Sequence, residues 1–371
     1  MIIGRSVSLL AKAARAAGFR PLVVDAFGDR DTCEAAEAYR KLHYRDAVID
    51  YDRLKADLNA LSQRYGDLPL CWGSGWEASG HLLSALETEY PIVGSSPLAL
   101  LAIANPFYCD ALPDAYLTPV DAGFPPSTAA CLVKDRMRAG GHAVARDAKQ
   151  KFLSGKKFRQ HFLSGVSLSA VCLATTRGVE ILGWNEHFSL QTSALFPFRH
   201  SGAVAVEAPI IDSSLLQGLS VAIERLRLRG LFGVDFVLAA SGQLKIIEIN
   251  PRPTSTAALH LPLGTLFKLH LWPEQFAEAA IRNDSQPSRA SAVIYADDPI
   301  LVPKKLNWPT WVSDVPAESR VFKHGEPLCT IQAEAADKDA VLKQISRRQN
   351  ELLAILQQTD KTALATPKAV K

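Results

Sequence analysis

The chain has 371 residues, 48% of them hydrophobic, with 41 basic against 38 acidic side chains. That length favours two or three domains sharing cores, and the composition excludes a mainly disordered chain. A net charge of +3 leaves no electrostatic footprint for nucleic acid, and no apolar run reaches the roughly 18 residues of a membrane span.

In chain order, residues 1–18 are apolar and basic, as an export signal would be. Arg5, Lys12 and Arg15 interrupt the stretch, so it reads as a short strand at 2–4 and a helix stopping at Gly18. The run 21–29 is a buried-type strand ending in Asp25, Gly28 and Asp29. Residues 67–79 predict a strand entering a turn at Gly73 and Gly75, then a helix over 80–88 and a strand at 91–96. Strand alternating with helix predicts a doubly wound α/β domain over 1–97.

Residues 105–128 carry five prolines and read as a connection. A strand over 127–135 precedes a Gly140-Gly141 turn. Strands at 168–176 and 179–189 pair about Arg177-Gly178. An amphipathic helix follows at 212–228, then strands 231–239 and 243–250 about a Ser241-Gly242 turn. Beyond 290 the pattern is a strand over 290–302, a tryptophan-anchored loop, a strand over 326–335, a helix over 336–357 and a frayed tail at 359–371. The six cysteines form no CxxC pair and read as reduced thiols of a cytoplasmic protein.

The stretch 230–256 carries most chemistry. Asp235 lies inside one apolar strand and Glu248 inside the next, where charge is costly unless compensated. Glu248 and Asn250, two apart, share a strand face, and Arg252 continues that row. If the hairpin pairs about its turn, Asp235 adjoins Glu248. Two carboxylates and an amide oxygen are hard ligands that suit Mg²⁺, and Arg252 adds a planar cation for phosphate or carboxylate oxygens. The alternative is an ion pair of Asp235 or Glu248 with Arg252 bracing the hairpin.

The spacing from Asp235 to Glu248 to Asn250, followed by Pro-Arg-Pro-Thr, resembles the metal-binding hairpin of the ATP-grasp superfamily, carboxylate–amine ligase type, with its biotin-carboxylase-like and amino-acid ligase members. The resemblance implies that Asp235, Glu248 and Asn250 hold Mg²⁺, two ions with Mn²⁺ as a substitute, bridging the ATP phosphates. It implies that Arg252 contacts the γ-phosphate or acyl phosphate. It makes Lys134 the strand lysine and Gly140 and Gly141 the mobile phosphate loop. It places adenine at Gln160, His161, Phe162 and Leu163, and ribose at Ser167, where the family often has glutamate. No lysine occurs over 97–110, so Lys134 acts without the earlier lysine of many members. Arg252, Thr254, Gly73 and Gly75 are the substrate candidates. His260 and His270 are read as exposed or core residues.

The implied architecture is α/β and α+β: the doubly wound N-terminal domain (1–97), a two-lobed ATP-grasp module with a small lobe (98–190) and a large lobe (191–289), and a small C-terminal subdomain (290–358) before the tail. The implied reaction activates a carboxylate as an acyl phosphate and joins it to an amine, releasing ADP and phosphate. Partners are small molecules, with no nucleic acid or membrane; the sequence leaves the oligomeric state open, a homodimer being the common arrangement. Tyramine–glutamate ligase-like members, and glutamate joined to an amine in methanofuran-type cofactor synthesis, are the nearest substrate suggestion. An ATP-binding sensor without turnover and a bicarbonate-dependent carboxylase remain as alternatives.

Overall fold

The computed structural model describes residues 1–45, 48–104, 120–121, 130–136, 140–141, 143–147, 156–190, 195–211, 213–277 and 287–365. Most of the 105–128 connection, Cys109 and the last six residues of the tail lie outside them.

The N-terminal sheet is parallel, in spatial order Ala38–Lys41, Leu22–Asp25, Ile2–Gly4, Leu70–Trp72, Ile92–Val93. Its central strands are short apolar runs because both faces are covered. Successive residues feed different cores. Ile2 and Val23 pack with helix Ser8–Ala16, whereas Ile3 and Val24 pack with helix Tyr51–Tyr65. That second helix, with Leu54, Leu58 and Leu61 buried at helical spacing, was not predicted. Asp50 caps it, accepting from the Arg53 N–H at 3.2 Å. The strand order reverses between Ile2–Gly4 and Leu70–Trp72. The carboxyl ends of such strands form the usual ligand crevice of an open α/β sheet.

A four-stranded sheet follows, in order Val144–Arg146, Cys131–Asp135, Lys157–His161, Val120–Asp121. The largest sheet has eight strands: Leu244–Asn250, Gly230–Ala239, Gly165–Thr175, Gly178–Phe188, Gly202–Val206, Ser288–Tyr295, Pro327–Ala335, Val312–Ser313. Strands Gly165–Thr175 and Gly178–Phe188, expected in the small lobe, therefore lie in the large sheet. The C-terminal strands continue that same sheet through the pairing of Gly202–Val206 with Ser288–Tyr295.

Two local expectations change, and one helix is new. The 290–302 run is two strands, Ser288–Tyr295 and Ile300–Val302, in different sheets; Asp297, Asp298 and Pro299 lie at the break between them. Residues Pro97–Ile103 form a helix, with Ser96 accepting from the Leu98 N–H and proline in the first turn. The last helix spans Lys338–Ala365, so residues 359–365, expected to fray, are helical.

The domains share their packing. Val171, Leu173 and Leu231 of the large sheet join the core of helix Ser8–Ala16 and helix Leu263–Leu271. Asp31 accepts from the N–H groups of Asp314 and Val315 at 2.9 and 3.2 Å, and Lys12 lies 2.9 Å from Asp31 and 3.5 Å from Asp314. The first and last parts of the chain are thereby tied together. Among the described residues no helix is long and apolar enough to cross a membrane.

Candidate functional site

The hairpin of Gly230–Ala239 and Leu244–Asn250 contains a bulge between Asp235 and Phe236. Phe236 pairs with Ile246, yet Asp235 pairs with Glu248. Ile247 is the extra residue that the bulge absorbs. An unbroken register would have set Asp235 opposite Ile247 and turned Glu248 to the other face. The bulge therefore places the two carboxylates side by side. Asn250 Nδ2 donates to Asp235 Oδ2 at 3.1 Å, and Arg252 Nη2 donates to Asn250 Oδ1 at 3.3 Å. The row read from the sequence is one connected patch.

Asp235 and Asn250 are half-buried and Glu248 is exposed, so the patch is the floor of a cleft that protein crowds but solvent reaches. Burial raises the pKa of Asp235, against the lowering charges of Lys134 and Arg252 and the Asn250 hydrogen bond. Although solvent reaches Glu248, the protein crowding the cleft floor raises its pKa, the charge of Asp235 raises it further, and Lys134 and Arg252 again oppose. Lys134, on strand Cys131–Asp135 of the small sheet, thus reaches the acids electrostatically from the other lobe.

One acid escaped the sequence reading. Glu77, in the turn after Leu70–Trp72, lies 3.8 Å from Arg252 and adds its negative charge near Glu248. In the Gly73-Ser74-Gly75-Trp76-Glu77 segment the glycines are the local signal, and Glu77 gains its meaning only from Arg252, 175 positions on.

The loop after Asn250 lies flat on the sheet because two strand positions lack side chains. A Cβ on Gly233 would meet Thr254 Cγ2 at 2.5 Å, and one on Gly183 would meet His260 Nδ1 at 2.2 Å. His260 Nε2 lies 2.9 Å from Asn185 Oδ1, and Asn185 Nδ2 donates to Ser169 Oγ at 3.4 Å. Ser169 pairs with Asn185 on one side and Asp235 on the other. Directly opposed residues share a face, so a buried polar row runs from the Arg252 loop to the acid pair. His260, Asn185 and Ser169 are nearly inaccessible. Their sequence signal is two polar residues within apolar strands, visible only when the strands are aligned. His270 is buried; the Leu231 N–H donates to its Nδ1 at 3.2 Å.

Gly140 and Gly141 have φ of 72° and 73°, the left-handed region that glycine enters freely. The turn rests on segment 196–200: the His200 N–H donates to Gly140 O at 3.1 Å, and a Cβ on Gly141 would fall 1.9 Å from Phe198 O. Gln160 is buried and its Nε2 donates to Ile247 O at 3.2 Å, joining the small sheet to the bulge itself. Phe162 stacks edge-on to Phe198 and lies under Arg146, 4.5 Å from ring centre to guanidinium. His161 and Leu163 are half-buried, and Ser167 is exposed on the strand opposite Val237.

A cavity of about 700 Å³ adjoins Arg252. Its walls are the start of helix Ser8–Ala16, Gly73 and Ser74 at the switch point, the Arg252–Leu263 segment, and the open face of the C-terminal sheet. Gly73 lines it. Gly75 does not: it has φ 94°, and a Cβ there would strike Arg5, so it shapes the turn. Thr254 does not line it either; its hydroxyl is 2.9 Å from that of Thr256 and its methyl packs on Gly233.

Among the described residues no group of three or more His, Cys, Asp or Glu side chains could hold a metal ion. A zinc-type cage is not what this patch offers. Two adjacent carboxylates fit Mg²⁺, which takes its remaining ligands from water and phosphate; the Asn250 amide turns its Nδ2 to Asp235 and its Oδ1 to Arg252, so it would ligate by sharing that oxygen or by turning its amide. The charge of Asp235 raises the pKa of Glu248, and a cation between them would relieve that repulsion.

Residues 108–256 match the family model of the ATP-grasp domain. None of the curated proteins matches the chain in sequence. Among solved structures it is similar to the biotin carboxylase domain of Hydrogenobacter thermophilus 2-oxoglutarate carboxylase, in complex with MgADP, ADP and bicarbonate, at 11% identity and TM-score 0.69, covering 93% of this chain and 88% of that one. It is similar to an L-amino acid ligase from Bacillus licheniformis at 13% identity and TM-score 0.67, covering 94% and 96%. It is similar to N5-carboxyaminoimidazole synthetase from Staphylococcus aureus, complexed with ADP, at 14% identity and TM-score 0.65, again covering 94% and 96%.

Proposed function

On a chain with the ATP-grasp fold, we propose an ATP- and Mg²⁺-dependent ligase that activates a carboxylate as an acyl phosphate and joins it to an amine. The observation that carries this reading is the bulged pairing of Asp235 with Glu248, with Asn250 and Arg252 hydrogen-bonded in the same row. A carboxylate is a poor acyl donor until its oxygen leaves as phosphate. Phosphoryl transfer asks a protein mainly for positioning and charge neutralisation.

Asp235, Glu248 and Asn250 would hold Mg²⁺, which supplies charge neutralisation to the nucleotide phosphates. Lys134 adds a cation from the opposite lobe. Arg252 presents its guanidinium to the γ-phosphate and then to the acyl phosphate, with Glu77 and Asn250 setting its plane. The Gly140-Gly141 turn offers backbone N–H groups to phosphate oxygens, and its closure excludes water from the acyl phosphate. Adenine sits at Gln160, His161, Phe162 and Leu163, with ribose near Ser167.

The cavity beside Arg252 supports two organic substrates: about 700 Å³ lies within the range of pockets that enclose a small organic ligand. Glutamate with an amine, as in methanofuran-type cofactor synthesis, is the first pair to test. The experiment measures ADP and phosphate release as a function of Mg²⁺, carboxylate and amine. AMP and pyrophosphate as products would overturn the reading. A carboxylase is the second reading, since one similar structure holds bicarbonate; labelled bicarbonate entering the product would select it.

A further inference from the structure

The wall of the same cavity carries a feature that nucleotide chemistry does not use. Two of its cations are matched by carboxylates: Lys12 lies between Asp31 and Asp314, and Arg289 Nε donates to Glu334 at 2.8 Å. Arg348, from the long C-terminal helix, is different. Its Nη1 donates to the Gln332 carbonyl, and its guanidinium lies over the Trp311 ring, 5.2 Å from the centroid. With the Gln344 amide in its better orientation, Nη2 donates to that side-chain oxygen at 3.1 Å. All three contacts are neutral. Among the described residues no carboxylate lies within ion-pair distance of it, and the one acid whose charge supports it is Glu351, a turn away on its own helix. Arg348, Trp311 and Gln332 all line the cavity that Arg252 also lines.

A half-buried guanidinium fixed by stacking and by neutral acceptors keeps its charge and part of its planar donor fork for a ligand. We infer that Arg348, stacked on Trp311, forms an anion subsite, so that the substrate of this cavity bears a second anionic group, carboxylate or phosphate, besides the carboxylate activated near Arg252. This rests on the ligase reading above and narrows its substrate class.

The test is calorimetric titration of the Mg²⁺-ADP-loaded protein and of Arg348→Gln and Arg348→Lys. The probes are glutarate and glutamate for a second carboxylate, O-phosphoserine for a phosphate, and butyrate and glutamine as singly acidic controls. The expected result is binding of at least one doubly anionic probe, weakened roughly ten- to hundredfold by Arg348→Gln and partly restored by Arg348→Lys, with the controls unchanged. Glutarate against O-phosphoserine tells which anion is preferred. If Arg348→Gln lowers the melting temperature but leaves every affinity unchanged, the residue is only a brace and the inference fails. It fails equally if the controls bind as well as the doubly anionic probes, or if none of those probes binds. Binding of Mg²⁺-ADP is measured first on the same samples; its absence from the wild-type protein would sink the ligase reading instead.

Discussion

At the residue scale, the acid pair decides the chemistry and costs the fold something. Both carboxyls are pushed above the ordinary carboxylate range, by the protein that crowds the cleft floor and, at Glu248, by the charge of Asp235. The sign follows from linkage: a carboxyl whose folded pKa is raised adds nothing unfavourable below its unfolded pKa and destabilises progressively as pH rises through the folded value. Glu248→Gln is therefore expected to match the wild-type melting temperature near pH 4 to 5 and to equal or exceed it at pH 8. The same variant, like Glu248→Ala, should lose Mg²⁺-dependent ADP formation. A collapse of the melt at pH 8 would mean that Glu248 is a structural ion-pair member. His270 has the opposite dependence. Burial pushes its pKa down to about 4, and its Nδ1 must stay unprotonated to accept from Leu231. Its contribution is complete above the ordinary histidine value near 6.5 and is lost as pH falls toward 4, by about 3 kcal/mol over that window. Urea titrations of wild type and His270→Gln at pH 7 and pH 4.5 should show the difference between them shrinking at the lower pH.

At the scale of the element, a bulge and two glycines shape the acid-bearing hairpin. The alternation Asp235, Glu248, Asn250, Arg252 and the Ser-Gly turn were legible, since strand period and turn chemistry are local. The bulge was not, because the extra residue is identified only by what the partner strand presents. Nor were Gly183 and Gly233, whose purpose is to admit His260 and Thr254 from a loop packed above the sheet. That gives a paired test. Gly233→Ala sets a methyl 2.5 Å from Thr254 Cγ2, and overpacking of this kind costs about 1–3 kcal/mol. The expected result is a lowered melting temperature together with slower turnover, as Arg252 is lifted with its loop. Adding Thr254→Ser removes that methyl and should restore most of both. Additive losses in the double variant would mean that the two residues do not meet.

At the scale of the whole molecule, three sheets converge on one crevice. The acids come from the large sheet, Lys134 from the small one, and Glu77 with the helix Ser8–Ala16 from the N-terminal domain. A ligand bridging these parts should act on global stability. Saturating Mg²⁺-ATP at about one hundred times its dissociation constant is expected to add roughly 2.7 kcal/mol, and EDTA should reverse most of the gain. An Mg²⁺-independent shift of the same size would place the nucleotide elsewhere. The contact of Asp31 with Asp314 and Val315 joins the chain's first and last parts. Asp31→Ala leaves two backbone donors and Lys12 short of an acceptor, at about 1–3 kcal/mol. Scanning calorimetry should show a lowered transition that broadens or splits.

The sequence alone determined the alternating strand and helix of the N-terminal domain, the hairpin with its two carboxylates and amide in one row, and the glycine turn. All of these depend on residues within about one or two dozen positions of each other, where periodicity and turn preference act. Tertiary structure alone decided that residues 165–188 join the large sheet, that Glu77 meets Arg252, that His260 reaches Asn185, and that Arg348 and Arg252 line one cavity. Those pairings span tens to hundreds of residues. Nothing in a local pattern encodes them, because they are selected by which apolar faces find each other when the domains pack.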